Sequence, residues 1–571
     1  MRLKSIFILA LSVATLGACN KKLDELLVNP NSPAPDEASA TLYLTQTQLS
    51  FADFFNAASN FGGTVSRMYN MGSFTYLNAY SPQSFNGIWT SAYSGVFKHA
   101  NALIPIAESQ KNWIDVGIAK TLKAYTMITL VDIFGDIPYD EANLGSENTN
   151  PAVQSGAEVY AEALALLDEA IVAFNTTPVG AFPGTNDLFY GTTAGSNVNA
   201  PSPGAIRWRT AAKLIKLRLY ATTRLVDGSA ASKINALLTD TDVANATSNN
   251  DFEFRYSSKQ TNPNSRHPRY NANYAATGNA GDYMSIYYMW TMVAEKGQGS
   301  NNDPRTRYYF YRQTTNNSQV NENTMSCFYA APPSHYPTGN IAPYFNSPMP
   351  YCYLGNGYWG RDHGDGTGIP PDGNLRATVG IYPAGGDFDS NQGSRVSLNR
   401  GGLGAGIHPI WQTAFTDFLK AETALMIGTT GNPRTLLESA VRKSMTKVTG
   451  FPATIGFTVP ANFVPDATRI DGYVSKVLAA YDAAATTTDK LDIIIKEWYI
   501  AAWGNGLEAY NMYRRTGKPA NVQLTRLEAS GDFTRSMLYP ANYVNLNQTA
   551  QQKASPAVQV FWDNNPAGFI K

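Results

Sequence analysis

Charge is scarce in this sequence: only 15% of its 571 residues are Asp, Glu, Lys or Arg, and 44 basic side chains cancel 44 acidic ones. Without a basic surplus there is no face to displace counterions from a phosphate backbone, which excludes a nucleic-acid partner. The three cysteines include no Cys-x-x-Cys pair, and the five histidines are dispersed, so a zinc site is not expected. Catalytic signatures are missing too: no Gly-x-Ser-x-Gly elbow, no His-Glu-x-x-His and no Walker loop. The glycine run at 401–406 has the wrong spacing for a dinucleotide fingerprint and follows no β-rich segment, so it reads as a flexible connector. No nucleophile or paired carboxylates are placed by pattern, and the chain reads as a binding protein rather than an enzyme. Past the N-terminus, no apolar run is long enough to span a bilayer.

Aromatic residues are plentiful instead, with 33 Tyr, 26 Phe and 9 Trp. Few charges and many aromatics imply a surface suited to neutral ligands. The N-terminus has the order of an export signal: basic Arg2 and Lys4, an apolar run from Ile6 to Ala14, then Leu16-Gly17-Ala18-Cys19. That last tetrapeptide resembles a lipobox, which makes Cys19 the lipidated first residue of the mature chain. Loss of Arg2 and Lys4 leaves 42 basic against 44 acidic side chains. The expected division is a signal peptide over 1–18, a Pro-interrupted lipidated tether over 19–40 and one folded domain over 41–571. In an oxidising compartment Cys327 and Cys352 could close a loop of about 26 residues, stabilising by roughly 3 kcal/mol. Spacing alone leaves a disulfide and two buried thiols equally open.

Apolar residues three and four apart predict helices over Leu42–Ala58, Ser84–Glu108, Trp113–Phe134, Gly156–Phe174 and Trp208–Val226. Helices resume over Pro409–Ile427, Arg434–Lys447, Ile470–Ala484 and Lys490–Arg515. Between about 239 and 407 the chain is rich in Asn, Gly, Tyr, Pro and Ser, with one good helix at Asp282–Glu295 and no sustained strand alternation. A long insertion of this kind is usually functional, and its aromatics argue for order. The fold class is therefore mostly α: helical hairpins, compatible with degenerate tetratricopeptide-like packing, carrying a loop-rich, aromatic-rich insertion.

Within that insertion, Tyr351 to Gly373 combines Tyr358 and Trp359 with Arg361, Asp362, His363 and Asp365. Sugars present apolar C–H faces and polar rims, so an aromatic platform beside planar hydrogen-bonding groups suits them. Tyr358, Trp359, Arg361 and Asp362 are thus ligand-binding candidates, with Tyr76 and Trp89 from the early loops and Trp290 from the middle helix. Asp362, Asp365 and Asp372 in a Gly-rich frame offer a structural calcium site as a second reading, although their spacing is not that of an EF-hand. A third reading is a packed Ω-like loop whose charges pair internally. No other cofactor is implied. At the end of Trp113–Phe134, Gly135 and Pro138 read as a structural corner, and Arg514-Arg515 as cations at a helix C-terminus.

Several segments recur in a familiar order: Val28-Asn29-Pro30-Asn31; Val131 to Tyr139 with its Gly-Asp-Ile-Pro-Tyr ending; Arg207-Trp208 with Lys216-Leu217-Arg218-Leu219; and Phe415 to Glu422, where Lys420 departs from a more apolar pattern. Lys496-Glu497-Trp498, Glu508, Tyr510, Arg514 to Gly517 and Tyr539-Pro540-Ala541-Asn542 complete the set. Together they resemble the SusD/RagB family of nutrient-binding lipoproteins, the SusD-like group in particular. The resemblance implies an outer-membrane, cell-surface lipoprotein that sits as a lid on a SusC-like TonB-dependent barrel and captures an oligosaccharide without chemistry. An oligopeptide carrier, a surface glycoside hydrolase and a brace for the barrel that binds nothing itself are the alternatives.

Overall fold

The computed structural model describes residues 39–177, 183–191, 202–297, 302–316, 331–336, 354–366 and 372–571, with single positions between them. The signal peptide, Cys19, most of the tether, Cys327 and Cys352 lie outside the described residues.

The first helix, α1 (Ala40–Val65), starts where the Ser39 side chain accepts from the Leu42 amide. A helical run from Asn86 through a wide-pitched segment, Ser91–Phe97, enters α2 (Lys98–Ser109). Next comes α3 (Trp113–Phe134), with the bounds the periodicity predicts. It is buried on nearly every side, the behaviour of a helix without a polar face. It packs on α2 and most extensively on α4 (Gly156–Asn175), whose Ser155 and Glu158 form a capping box. Then follow α5 (Pro203–Thr222), packed on α4, and α6 (Ala230–Leu238), packed on α5.

The insertion is not strandless. Strand β1 (Phe252–Arg255) pairs antiparallel with β4 (Ile407–Trp411), setting Phe254 opposite His408. Likewise β2 (Phe310–Arg312) pairs with β3 (Ala377–Val379). Between β1 and β2 lies α7 (Ile286–Val293), every residue of which is buried. Pro409 therefore stands inside a short strand rather than at a helix start, and α8 (Thr413–Ile427) begins after it, ending at the left-handed Gly428. The longer helices that follow are α9 (Pro433–Thr454), α10 (Ala467–Ala483), α11 (Thr487–Ala501) and α12 (Gly506–Thr516). A single helix over Lys490–Arg515 is thus corrected to two. Gly504 breaks it with φ +93°, a conformation a larger residue resists, and Asn505 caps the restart by accepting from the Glu508 amide.

Helices α1 and α12 meet backbone to backbone. A Cβ added to Gly506 would stand 2.2 Å from the Ser59 carbonyl oxygen, and one on Gly62 would stand 2.5 Å from that of Gly506.

The segments that carry the family resemblance converge in buried ion pairs. Asp132 of α3 accepts from Arg218 Nη2 at 3.0 Å, Asn511 Nδ2 at 2.8 Å, Trp562 Nε1 at 3.0 Å and the Tyr160 hydroxyl. Arg218 also bonds Glu508 through Nε. Arg514 and Arg515 stand in the last turn of α12, as the sequence suggests, and their side chains reach partners beyond the helix end. Arg515 pairs with Glu422, while Arg514 bonds Asn511 Oδ1 and the Arg535 carbonyl. A second buried set ties the insertion to the C-terminal helices: Lys496 with Glu295 at 3.0 Å, Lys296 with Glu497 at 3.0 Å and Arg305 with Glu497 at 3.4 Å. Buried charges are tolerated only when paired in this way.

Candidate functional site

The stretch singled out by sequence turns inward. Tyr358, Trp359, Arg361, Asp362, Asp365 and Asp372 are all buried, as are Tyr76 and Trp290. The glycines permit this. Gly360 lies so close to the start of α7 that a Cβ there would stand 2.4 Å from the Met284 carbonyl oxygen, and Arg361 N and O bond Met284 O and Ile286 N. The charges then pair locally: Asp372 with Arg361 and Arg376, each at 2.7 Å, Asp365 with Arg526 at 2.7 Å, and Asp362 with the Gln523 amide at 2.5 Å. The three carboxylates face different partners, and among the described residues no three His, Cys, Asp or Glu side chains gather where a metal ion could be held. Tyr76 bonds His363 Nε2 at 3.1 Å inside the protein, and burial holds that imidazole well below its ordinary pKa. Trp290 sits in the core with the Lys496 ammonium 5.6 Å from its ring centre. Trp89 alone of the candidates stays half-buried, between Tyr93 and Tyr543.

What the inward loop does is build the back wall of a cleft. Arg361 and Arg376 lie over the Tyr283 ring, 4.1 and 3.6 Å from its centre, and the Tyr283 hydroxyl donates to Asp372 at 2.5 Å. Burial and that acceptor together raise the Tyr283 pKa. Tyr283 so fixed is one side of a cavity of about 550 Å³, lined from the end of α1 by Asn60 and Thr64, then by Tyr69 and Asn70, and from the insertion by Arg269 and Asp282.

Arg269 organises the cleft. His267 Nδ1 accepts from the Arg269 amide and starts the short helix Pro268–Asn273, which sets the arginine facing α1. Its guanidinium lies 3.5 Å from the centre of the Tyr69 ring, pairs with Asp282 at 2.9 Å and donates to Asn60 Oδ1 at 2.5 Å. Asn273 holds Asp282 from the other side, donating to Oδ2 and accepting from its amide, both at 2.9 Å. The Asp282 side chain keeps 39% of its surface exposed. Asn70 donates through Nδ2 to the Asp365 carbonyl at 3.1 Å, yet its Oδ1, shielded from solvent, has no hydrogen-bond partner among the described residues. An acceptor left in that condition costs about 1–3 kcal/mol, which a ligand donor would recover.

Sequence reasoning missed this site because Asn60 to Asn70 and Arg269 to Tyr283 are some two hundred residues apart and share no periodicity. The one local signal was the Gly-rich loop, whose candidate residues are buried behind the cleft rather than lining it.

Residues 30–347 match a SusD-like family model described as starch-binding and associating with the outer membrane. Residues 406–564 match the model of SusD and RagB outer-membrane lipoproteins. No curated protein matches the chain. Among solved structures, a chitin-binding SusD homolog from Flavobacterium johnsoniae superposes with TM-score 0.58 at 18% identity, covering 91% of this chain and 99% of that one. A SusD/RagB family protein from Bacteroides thetaiotaomicron gives 0.60 at 18%, covering 93% and 100%. A chitin-binding protein gives 0.61 at 19%, covering 92% and 100%. The helical hairpins around a strand-poor insertion are accordingly the tetratricopeptide-like SusD fold. The chain belongs to the SusD/RagB family, whose models describe outer-membrane lipoproteins. None of the helices among the described residues is long and apolar enough to cross a membrane.

Proposed function

We propose that this protein is lipidated at Cys19, captures an oligosaccharide at the cell surface and delivers it to a SusC-like TonB-dependent barrel over which it closes as a lid. The observation that carries the reading is the cleft of Asn60, Asn70, Arg269, Asp282 and Tyr283. It sets planar donors and acceptors beside aromatic rings, the combination sugar hydroxyls and ring faces need. Two structural relatives are described as chitin-binding, which supports a glycan. The cleft lining includes one carboxylate, Asp282, where a glycosidase needs two across the scissile bond, which supports capture over hydrolysis. A ligand contacting lid and barrel together would favour the closed assembly by its differential affinity for that state.

Calorimetric titration of the purified protein against neutral oligosaccharides and mixed oligopeptides tests the reading. Saturable heat with a sugar, weakened about tenfold or more by Asn70→Ala and by Arg269→Ala, is expected for the loss of about 1.4 kcal/mol of contact. Heat with peptides only would replace the sugar with a peptide cargo, and turnover of a chromogenic glycoside would overturn the non-catalytic reading.

A further inference from the structure

The half-buried Trp89 belongs to a different recess. It is lined by Trp89 and Tyr93 at the start of the α2 run, by Pro138 at the corner after α3, and by Asn542, Tyr543 and Leu546 of the short helix Ala541–Leu546. None of its lining residues is shared with the cleft. Trp89 packs at 4.8 Å from Tyr93 and 4.9 Å from Tyr543, and edge-on to Phe134 at 5.3 Å, so its ring is held rigidly. The Tyr93 hydroxyl is committed to the Pro138 carbonyl at 2.6 Å. That of Tyr543 is not. Tyr543 is only 8% exposed, yet its hydroxyl, shielded from solvent, has no hydrogen-bond partner among the described residues.

The chemistry of the recess narrows its occupant. Its lining contains no Asp, Glu, Lys, Arg or His, so no charged ligand is paired there. Its volume, about 230 Å³, is smaller than the roughly 300–1,000 Å³ of sites that enclose drug-sized molecules. A small neutral molecule with an apolar face and hydroxyls fits: aromatic edges and Leu546, 78% exposed at the rim, meet the face, and Tyr543 meets a hydroxyl. We propose that the Trp89–Tyr543 recess is a second carbohydrate subsite, taking one neutral pyranose ring independently of the cleft. This rests on the reading of the protein as a glycan carrier. A polymer touching both places on one chain is held by the effective concentration of the second contact, so two weak subsites retain a long glycan that either would release.

The test is saturation-transfer NMR on the purified protein with the methyl glycosides of glucose, N-acetylglucosamine, mannose and xylose at millimolar concentration. At least one should receive saturation. Tyr543→Phe removes only the hydroxyl and Leu546→Asp alters only an exposed side chain, so both should fold. Each should weaken that monosaccharide about fivefold, the worth of roughly one hydrogen bond or its equivalent in apolar contact. Asn70→Ala and Arg269→Ala should leave the response of the recess unchanged while weakening the oligosaccharide at the cleft. Absence of transfer from all four glycosides, or equal affinity in the parent and both recess variants, overturns the second subsite. Neither result touches the cleft, whose own variants decide the carrier reading separately.

Discussion

Arg515 grips Glu422 with both prongs of its guanidinium, Nε to Oε1 and Nη2 to Oε2, each at 2.8 Å, and both side chains are buried. The Arg224 guanidinium reaches the same carboxylate at 2.9 Å. Glu422 therefore neutralises two arginines from two different helical segments, and the Arg515 and Glu422 charges hold each other's pKa values outside their ordinary ranges, arginine up and carboxylate down. Glu422→Gln keeps the shape and removes the charge, leaving two buried cations uncompensated. The expected loss is roughly 3–5 kcal/mol, read as a lower denaturant midpoint. A midpoint equal to the parent's would show that the pair contributes nothing net.

Trp359 separates the sequence-based reading from the structure. If it were a sugar platform, Trp359→Ala would abolish binding and leave the fold intact. Since it is buried beside β3, bonding the Ala377 amide through its carbonyl, the substitution should instead cost stability, roughly 3–5 kcal/mol for a large aromatic removed from a core. Oligosaccharide affinity of the folded fraction should change less than twofold. A variant of parental stability with lost affinity would reverse this assignment.

Asp115, buried in the first turn of α3, has its pKa pushed up to about 7 by burial and then by the nearby Asp187. The unfolded chain has an ordinary value near 3.9, so the folded protein binds the extra proton across the interval between. Its stabilising contribution is complete below about pH 4 and is lost as the pH rises through about 7. Asp115→Asn should flatten that slope, so urea midpoints at pH 5 and pH 8 should differ less in the variant than in the parent. Parallel midpoints in the two proteins would remove Asp115 as the cause.

Much of the scaffold was legible because helix periodicity is a local signal. Trp113–Phe134 could be bounded to the residue, since Gly135 ends it and its interior is apolar throughout. Failures came where one residue outvoted its neighbours. Gly504 splits a run that reads as continuous helix, and β4 holds Pro409 through its pairing with β1, a partner some 150 residues away. The candidate cleft was less legible than the scaffold. The aromatic, Gly-rich loop lies beside the cleft, but free glycine backbone lets the loop fold its own charges together, so Arg361 and Arg376 support Tyr283 from behind. Asn70 gave no signal at all: its importance lies in an unmatched oxygen, a property of three-dimensional surroundings.

The glycine contact between α1 and α12 has a meaning in time as well as space. The first of the described helices rests on one of the last, with Gly62 against Gly506. Contacts of such sequence separation are slow to form, because the loop-closure entropy of the intervening chain is lost before they reward it. Most of α1 is covered by segments made soon after it, Ser91–Phe97, α2 and α3, while its glycine face stays open until α12 has been made.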